Sequence, residues 1–387
     1  MPELDFAALR RYPDIEADNL FAHDAADRLL LDTAGDALAG SAPGQLAVIG
    51  DQYGALTLGA AARHGLAGIR VHQDALSGEL ALANNARTAG LANVCSSLPL
   101  APGLLAGARV VLLRLPRSLE ALEEIAWLIA AHADPAVQVY AGGMVKHMSL
   151  AMNQVLARHF STVSAGLARQ KARVLTASGP LPSGSGAFPL EAGYDVGLPQ
   201  PLRVRAYGGT FGGAELDPGT RFLLPQLAGA RTAGTAVDLG SGNGTVAAYL
   251  ALTRPGLQVL ACDQSAPAVA STAATAEANG VADRVRVLRD GALSTQPDAS
   301  AGLVVLNPPF HVGNTVHTGI ALKLFAAAGR VLAPGGELWS VWNSHLRYRP
   351  QLGRLVGPTR QVARNPKFTV TVSTKRAGSW NPGKIGR

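Results

Sequence analysis

Leu306-Asn307-Pro308-Pro309-Phe310-His311 sets an amide, two prolines and an aromatic ring directly after an apolar run. The Asn307 side-chain oxygen and the Pro308 carbonyl are hydrogen-bond acceptors, and Phe310 offers a rigid planar face. Such a set suits a flat substrate carrying an amino group. Asn307, Pro308 and Phe310 are therefore candidate catalytic residues, with Pro309 and His311 as candidate substrate contacts. The plainer alternatives are a proline-terminated strand with an Asn turn and, for Phe310 and His311, simple packing.

Gly240-Ser241-Gly242-Asn243-Gly244 is the second such stretch. Glycines let the backbone approach a ligand closely, and the amino terminus of a following helix offers unpaired amides. The spacing is G-x-G-x-G, with Thr245 where a dinucleotide fingerprint needs glycine, which disfavours a nicotinamide dehydrogenase. Asp263 closes the next strand, where a carboxylate can accept both hydroxyls of a ribose. Asp290 closes the third, within reach of an adenine amine; either acid could instead cap the turn or helix that follows. Asp238 suits orienting the glycine loop, or a ligand's ammonium group, better than proton transfer. Together these residues describe a nucleoside-sized ligand lying across strand ends, with Asn307 beside it.

The elements that must position them alternate. Residues 236–239 read as strand, 244–253 as helix, 258–262 as strand, 267–279 as helix with Pro267 in its first turn, and 284–288 and 301–306 as strands. Pro308 and Pro309 cannot donate ladder hydrogen bonds, so the last strand stops there and leaves Asn307 at its carboxyl end. That edge is where open α/β sheets bind ligands. The first half follows the same plan: strand 46–49, helix 54–63, strand 69–71, helix 76–89 and strand 109–115. Gly50 placed on Gly240 brings Gly54 onto Gly244 and Arg114 close to Asn307, which implies an internal duplication. The first copy carries Val48, Gln52 and Arg114-Leu115-Pro116-Arg117 where the second has Asp238, Gly242 and the Asn307 motif. It reads as a fold without a working site. Residues 177–203, rich in Pro, Gly and Ser, read as a linker.

With 387 residues and 48% hydrophobic side chains, the chain can fill two cores of ordinary size. The acidic amino terminus carries no secretory pattern, and the longest apolar stretch, 98–115, is broken by Pro102, Gly103, Arg109 and Arg114, so no membrane span is expected. Two cysteines, Cys95 and Cys262, support neither a disulfide framework nor a cysteine metal site, and a cytoplasmic setting is expected. The net charge of +7 is unevenly placed. Residues 345–387 hold ten Lys or Arg and no acid, and 135–190 form a second acid-free tract with Lys146, Arg158, Arg169, Lys171 and Arg173. Such tracts are either solvated faces or nucleic-acid contacts, and the pocket for a planar amine favours the second.

Asp238-Leu239-Gly240-Ser241-Gly242-Asn243-Gly244, Asp263-Gln264-Ser265-Ala266-Pro267-Ala268-Val269 and Asn307-Pro308-Pro309-Phe310-His311 resemble class I S-adenosylmethionine-dependent methyltransferases of ribosomal RNA that act on the guanine exocyclic amine. Phe211-Gly212-Gly213-Ala214-Glu215-Leu216-Asp217-Pro218-Gly219-Thr220-Arg221-Phe222 resembles their pre-domain motif, although Pro218 is unusual there. Asp290-Gly291-Ala292-Leu293-Ser294 and Asn365-Pro366-Lys367-Phe368 are similar to the large-subunit branch. The resemblance implies an α/β fold of two tandem Rossmann-like domains: a degenerate one over 1–180 that binds RNA or only stabilises the fold, a linker over 181–204, and a catalytic one over 205–387. It further implies S-adenosyl-L-methionine held by Asp238, Gly240, Gly242, Gly244, Asp263, Asp290, Ala292 and Asn307, with Phe211 joining Pro309, Phe310 and His311 on the substrate. The implied reaction is methylation of guanine N2 in ribosomal RNA, 23S ahead of 16S, by a monomer that needs no metal. The alternatives are another planar amine, adenine N6 or a protein glutamine, and a non-catalytic RNA-binding assembly factor.

Overall fold

The computed structural model describes residues 4–182, 184–231, 234–309 and 316–376; Phe310 and His311 lie outside the described residues. The chain divides into two compact units, Met1–Phe188 and Pro189–Arg387.

The first unit holds strands β1 (Leu46–Ile49), β2 (Ile69–His72), β3 (Cys95–Ser97), β4 (Val110–Arg114), β5 (Gln138–Met144), β6 (Phe160–Ala165) and β7 (Ala172–Pro180). They form one sheet in the order β3-β2-β1-β4-β5-β7-β6. The first five run parallel, and β7 is antiparallel to both its neighbours. All four residues of β1 are buried, because helices cover both faces of a parallel sheet. A core lies on each face, one around Leu30, Leu56 and Val71, the other around Leu113, Ile129 and Val139.

The second unit opens with the antiparallel hairpin β8 (Leu190–Tyr194) and β9 (Leu202–Ala206). Then follow β10 (Ala236–Leu239), β11 (Val259–Asp263), β12 (Val285–Arg289), β13 (Ala301–Leu306), β14 (Leu332–Asn343), β15 (Thr359–Arg364) and β16 (Phe368–Thr374). Their order, β12-β11-β10-β13-β14-β16-β15, repeats that of the first unit. The repeat reaches into the turns: Val145 N donates to Lys171 O at 2.8 Å in one unit, and Ser344 N donates to Lys367 O at 2.9 Å at the matching place in the other. Two tandem Rossmann-like units are thus present, as the glycine spacing predicts.

One expectation changes. The stretch expected to be a linker carries β8 and the start of β9, and β7 extends to Pro180. In β9, Leu202, Val204 and Ala206 are buried while Arg203 and Arg205 pair with Glu191 across the hairpin, an alternation that composition alone conceals. The basic carboxyl-terminal tract contributes β15 and β16 to the second sheet. β16 lies between β14 and β15 with six of its seven residues buried, but it carries no charge, and the described Lys and Arg of the tract are exposed apart from half-buried Lys375.

The first unit's strand ends are filled. Arg114 closes β4, the counterpart of β13. Its Nη1 donates to Asp24 Oδ1 at 2.8 Å and Asp27 Oδ1 at 2.7 Å, and its Nη2 donates to Asp24 Oδ2 at 2.9 Å. A Cβ on Gly50, the counterpart of Gly240, would lie 3.3 Å from Arg114 Cβ. The space a ligand would use is taken by the chain itself.

Candidate functional site

β10 leads into the glycine loop, where Gly240, Gly242 and Gly244 all have positive φ. The three do different work. A Cβ on Gly244 would sit 2.7 Å from Thr272 Cα, so that glycine lets the helix Thr245–Thr253 pack on Ala266–Ala278. A Cβ on Gly240 or Gly242 would meet nothing within 4 Å among the described residues. Those two glycines leave open space above the strand ends, the reverse of Gly50.

Three side chains fix the loop. Buried Asp238 accepts from Ala247 N at 2.9 Å through Oδ2. Asp263 accepts from Gly242 N at 3.0 Å through Oδ2 and from Ser265 N at 2.9 Å through Oδ1. Asn243 Nδ2 donates to the carbonyls of Gly213 and Glu215, both at 3.0 Å, which draws segment 207–222 across the loop. Burial, reinforced by the charge of Asp263, pushes the Asp238 carboxyl up to about 7 against the opposing bond from Ala247.

Asp290 is placed differently from the expectation that its side chain reaches an adenine. Its Oδ1 accepts from Ser294 N at 2.8 Å and Oγ at 2.7 Å, and its Oδ2 from Thr295 N at 2.8 Å and Oγ1 at 2.6 Å. Four donors use the acceptor sites of a carboxylate, so the side chain is a turn-former. Burial works to raise its pKa, but the bonds from Thr295 and Ser294 outweigh this and lower it. Those bonds hold Ala292 and Leu293 in the left-handed region, at φ 65° and 58°, a strained arrangement for residues with a Cβ. Leu293 is fully buried beneath, while Ala292 remains part-exposed at the strand ends.

Asn307 follows β13, as expected. Its Nδ2 donates to Asp217 Oδ1 at 2.8 Å and Thr220 Oγ1 at 3.0 Å. An ionised carboxylate can only accept, so this pair fixes which way the amide faces. Asn307 Oδ1 is buried and has no hydrogen-bond partner among the described residues. Asp217 caps the helix Pro218–Leu223 by accepting from Thr220 N at 2.7 Å. Pro218 fits the first helical position, where no amide donor is needed, so this departure from the motif is accommodated. Asp217 and Thr220 are functional candidates that the sequence reading passed over; Asp-Pro-Gly-Thr is a helix-start signal that could have flagged them. Pro308 is buried and Pro309 exposed. Phe211 stands 69% exposed on the turn of the 207–222 segment.

Among the described residues, no group of three or more His, Cys, Asp or Glu is arranged to hold a metal, and no helix is long and apolar enough to cross a membrane. Cys95 and Cys262 are both free. A cavity lined by Thr235, Gln258, Arg286, Leu293 and Gln296 opens at the amino ends of the strands, and neither the glycine loop, Asp263 nor Asn307 lines it.

Comparison with known proteins bears on the same two units. A family model described as the methyltransferase small domain matches residues 201–372, and one described as the RLMG N-terminal domain matches residues 2–180. The chain is 35% identical to ribosomal RNA large subunit methyltransferase G of Streptomyces avermitilis, over 95% of this chain and 97% of that protein. It is also 35% identical to the protein of that name from Stutzerimonas stutzeri, over 97% of this chain and 100% of the relative. Among solved structures, a T. thermophilus 16S rRNA N2 methyltransferase in complex with AdoMet and guanosine superposes with a TM-score of 0.70 at 20% identity, covering 94% of this chain and 97% of that one; this likeness is one of fold. A sealed first unit and an open second one, matched along nearly their whole length by such relatives, leave one assignment: the chain belongs to the ribosomal RNA large subunit methyltransferase G family.

Proposed function

We propose that the second unit methylates the exocyclic N2 amine of a guanine in ribosomal RNA, 23S ahead of 16S, using S-adenosyl-L-methionine. The observation that carries this is Asn307 Oδ1, a buried acceptor held in one orientation with no partner among the described residues. The residues present fit the cofactor: the open space at Gly240 and Gly242, the Asp263 carboxylate beside it, buried Asp238, and the Ala292 backbone over the turn formed by Asp290. When bound, the cofactor supplies an electrophilic methyl on a sulfonium. Guanine N2 is a poor nucleophile because its lone pair is delocalised into the ring. Hydrogen bonds from that amine to Asn307 Oδ1 and the Pro308 carbonyl would fix the nitrogen's position and favour its pyramidal geometry. Both oxygens are dipoles already aimed at the positive charge that develops there, so no strong base is required. A paired guanine cannot enter, so the base must be flipped or unpaired.

The first unit supplies RNA affinity in this reading. Arg117, Lys146, His147, Arg169 and Lys171 are exposed, and the Val145–Lys171 bond ties the turns after β5 and before β7 together. Slight burial and the nearby Arg117 and Lys146 charges lower the His147 pKa, the mark of a local positive field. If phosphates are held there, affinity for ribosomal RNA falls by orders of magnitude between about 0.05 and 0.5 M salt. Filter binding that shows no change over that range removes the role. We take the protein to act as a monomer in the cytoplasm.

Asp238 gives a pH prediction. Its carboxyl, at about 7 without ligand, must ionise to favour a cationic cofactor, so affinity for S-adenosyl-L-methionine is expected to rise about tenfold from pH 6 to 8. For folding the sign is opposite: the raised pKa contributes stability that is complete below the ordinary 3.8 and lost as pH rises through about 7. Calorimetric titration at the two pH values measures the first effect, and a flat profile excludes Asp238 from it. The test of the whole reading supplies labelled cofactor with unmodified 23S RNA, 16S RNA and assembled subunits, then identifies the methylated nucleoside. N2-methylguanosine supports it. N6-methyladenosine, labelled protein, or cofactor binding without transfer would each replace it.

A further inference from the structure

A second asparagine shares the face that Asn307 occupies. Leu306 of β13 pairs in parallel with Ser340 of β14, so Asn307 stands level with Val341, and Asn343 lies two residues further along β14. Strand alternation puts Asn307 and Asn343 on one face, that of Leu303, Val305, Trp339 and Val341. Two residues along a strand and one strand across set their Cα atoms about 8 Å apart, within reach of neighbouring atoms on one base. The register partner of Asn343 is Phe368, whose ring lies 3.3 Å from where a Cβ on Gly219 would be, in the helix that Asp217 caps. The two asparagines therefore flank one small structural block. Asn343 Oδ1 is also buried, and also has no hydrogen-bond partner among the described residues.

Strand order separates the two ligands. The glycine loop and Asp263 follow β10 and β11 on one side of β13, whereas Asn343 ends β14 on the other. An acceptor on β14 faces the base rather than the cofactor. Guanine presents two adjacent donors on its Watson–Crick edge, the N2 amine and N1–H. Adenine carries a bare acceptor at N1.

We propose that Asn343 Oδ1 accepts the N1–H of the target guanine, so that Asn307 and Asn343 together read the two donors and Asn343 sets the choice of guanine over adenine. The proposal rests on the methyl-transfer reading above. With adenine in the pocket, its amine on Asn307, the N1 lone pair would meet the Asn343 oxygen and leave two buried acceptors unsatisfied. The selectivity comes from that repulsion as much as from the bond gained with guanine.

The test uses the full chain and an RNA fragment spanning the guanine located by the labelling experiment, made with guanine or 2-aminopurine at that position. 2-Aminopurine keeps the N2 amine but has no proton on N1. Wild type is expected to prefer guanine by about 10- to 100-fold in kcat/KM, the range for one buried hydrogen bond to a base. Asn343→Ala should lose most of its guanine rate and most of that preference, with unchanged cofactor affinity as the check on folding. Asn343→Asp, which keeps an acceptor, should keep the preference. Equal rates on the two RNAs with wild type overturn the proposal without any variant, and so does an Asn343→Ala preference equal to that of wild type. A wild type that methylates no guanine at all overturns the underlying reaction instead, so the two failures are told apart.

Discussion

Replacing Asn307 with alanine is expected to lower methyl transfer to ribosomal RNA by about 100- to 1,000-fold in kcat, while S-adenosyl-L-methionine binding changes only a few-fold. The size follows from the position of the acceptor. Asn307 Oδ1 is buried, and its orientation is set by bonds from Nδ2 to Asp217 and Thr220 rather than by solvent. Nothing has to reorganise when charge develops on the amine, and such preorganised dipoles are the costliest to lose. Asp217→Ala should act in the same direction but more weakly, since the amide keeps Thr220 as a partner yet can turn over. Single-turnover assays with both variants measure this. An Asn307→Ala protein with full activity would sink the assigned role, and an Asp217→Ala loss confined to cofactor affinity would remove the positioning argument.

Arg114→Ala is expected to destabilise the first unit by about 3 to 5 kcal/mol, because it leaves Asp24 and Asp27 without their cation. The Asp27 side chain is only 10% exposed, and burial already raises its pKa to about 6 even with Arg114 opposing the shift. Without the arginine that carboxyl holds its proton to still higher pH. The deficit should therefore be largest near pH 8 and shrink towards pH 5, where protonation removes the unpaired charge on Asp27. For a unit of this size the melting transition falls by roughly 10 °C. Calorimetry across that pH range checks both statements, and a deficit independent of pH would mean that the ion pair is not its source.

The parts of the fold that were legible in the sequence are those where one residue type had one physical job. The 301–306 run could only be a buried strand stopped by Pro308, and the structure ends β13 at Leu306. Glycines at 240, 242 and 244 marked a strand-to-helix turn, and the Gly50 match exposed the duplication. What was missed shares a cause: composition spoke louder than period. The alternating Thr and Val of β16 sat inside a basic tract, and the Leu202–Ala206 strand sat inside a Pro- and Gly-rich stretch. At the site, Asn307 could be read because prolines follow it, whereas Asp217 could not, because its partner lies 90 residues away and only folding joins them. Asp290 shows the converse. Its place at a strand end was right, but whether a carboxylate faces a ligand or its own turn depends on Ser294 and Thr295, whose hydroxyls have no sequence pattern of their own.

The position of β16 also sets the order in which the two units can be made. Every strand of the first sheet exists once Pro180 is added, so that unit can close while the second is still being translated. The second sheet cannot, since β16 is inserted between β14 and β15, and β15 has no other neighbour. Until residues 368–374 emerge, β14 exposes an unpaired apolar edge, and the helix that orients Asn307 lacks the Phe368 ring against which it packs. Competence for chemistry is thus withheld until nearly the whole described chain exists, while the sealed unit ahead of it is already folded.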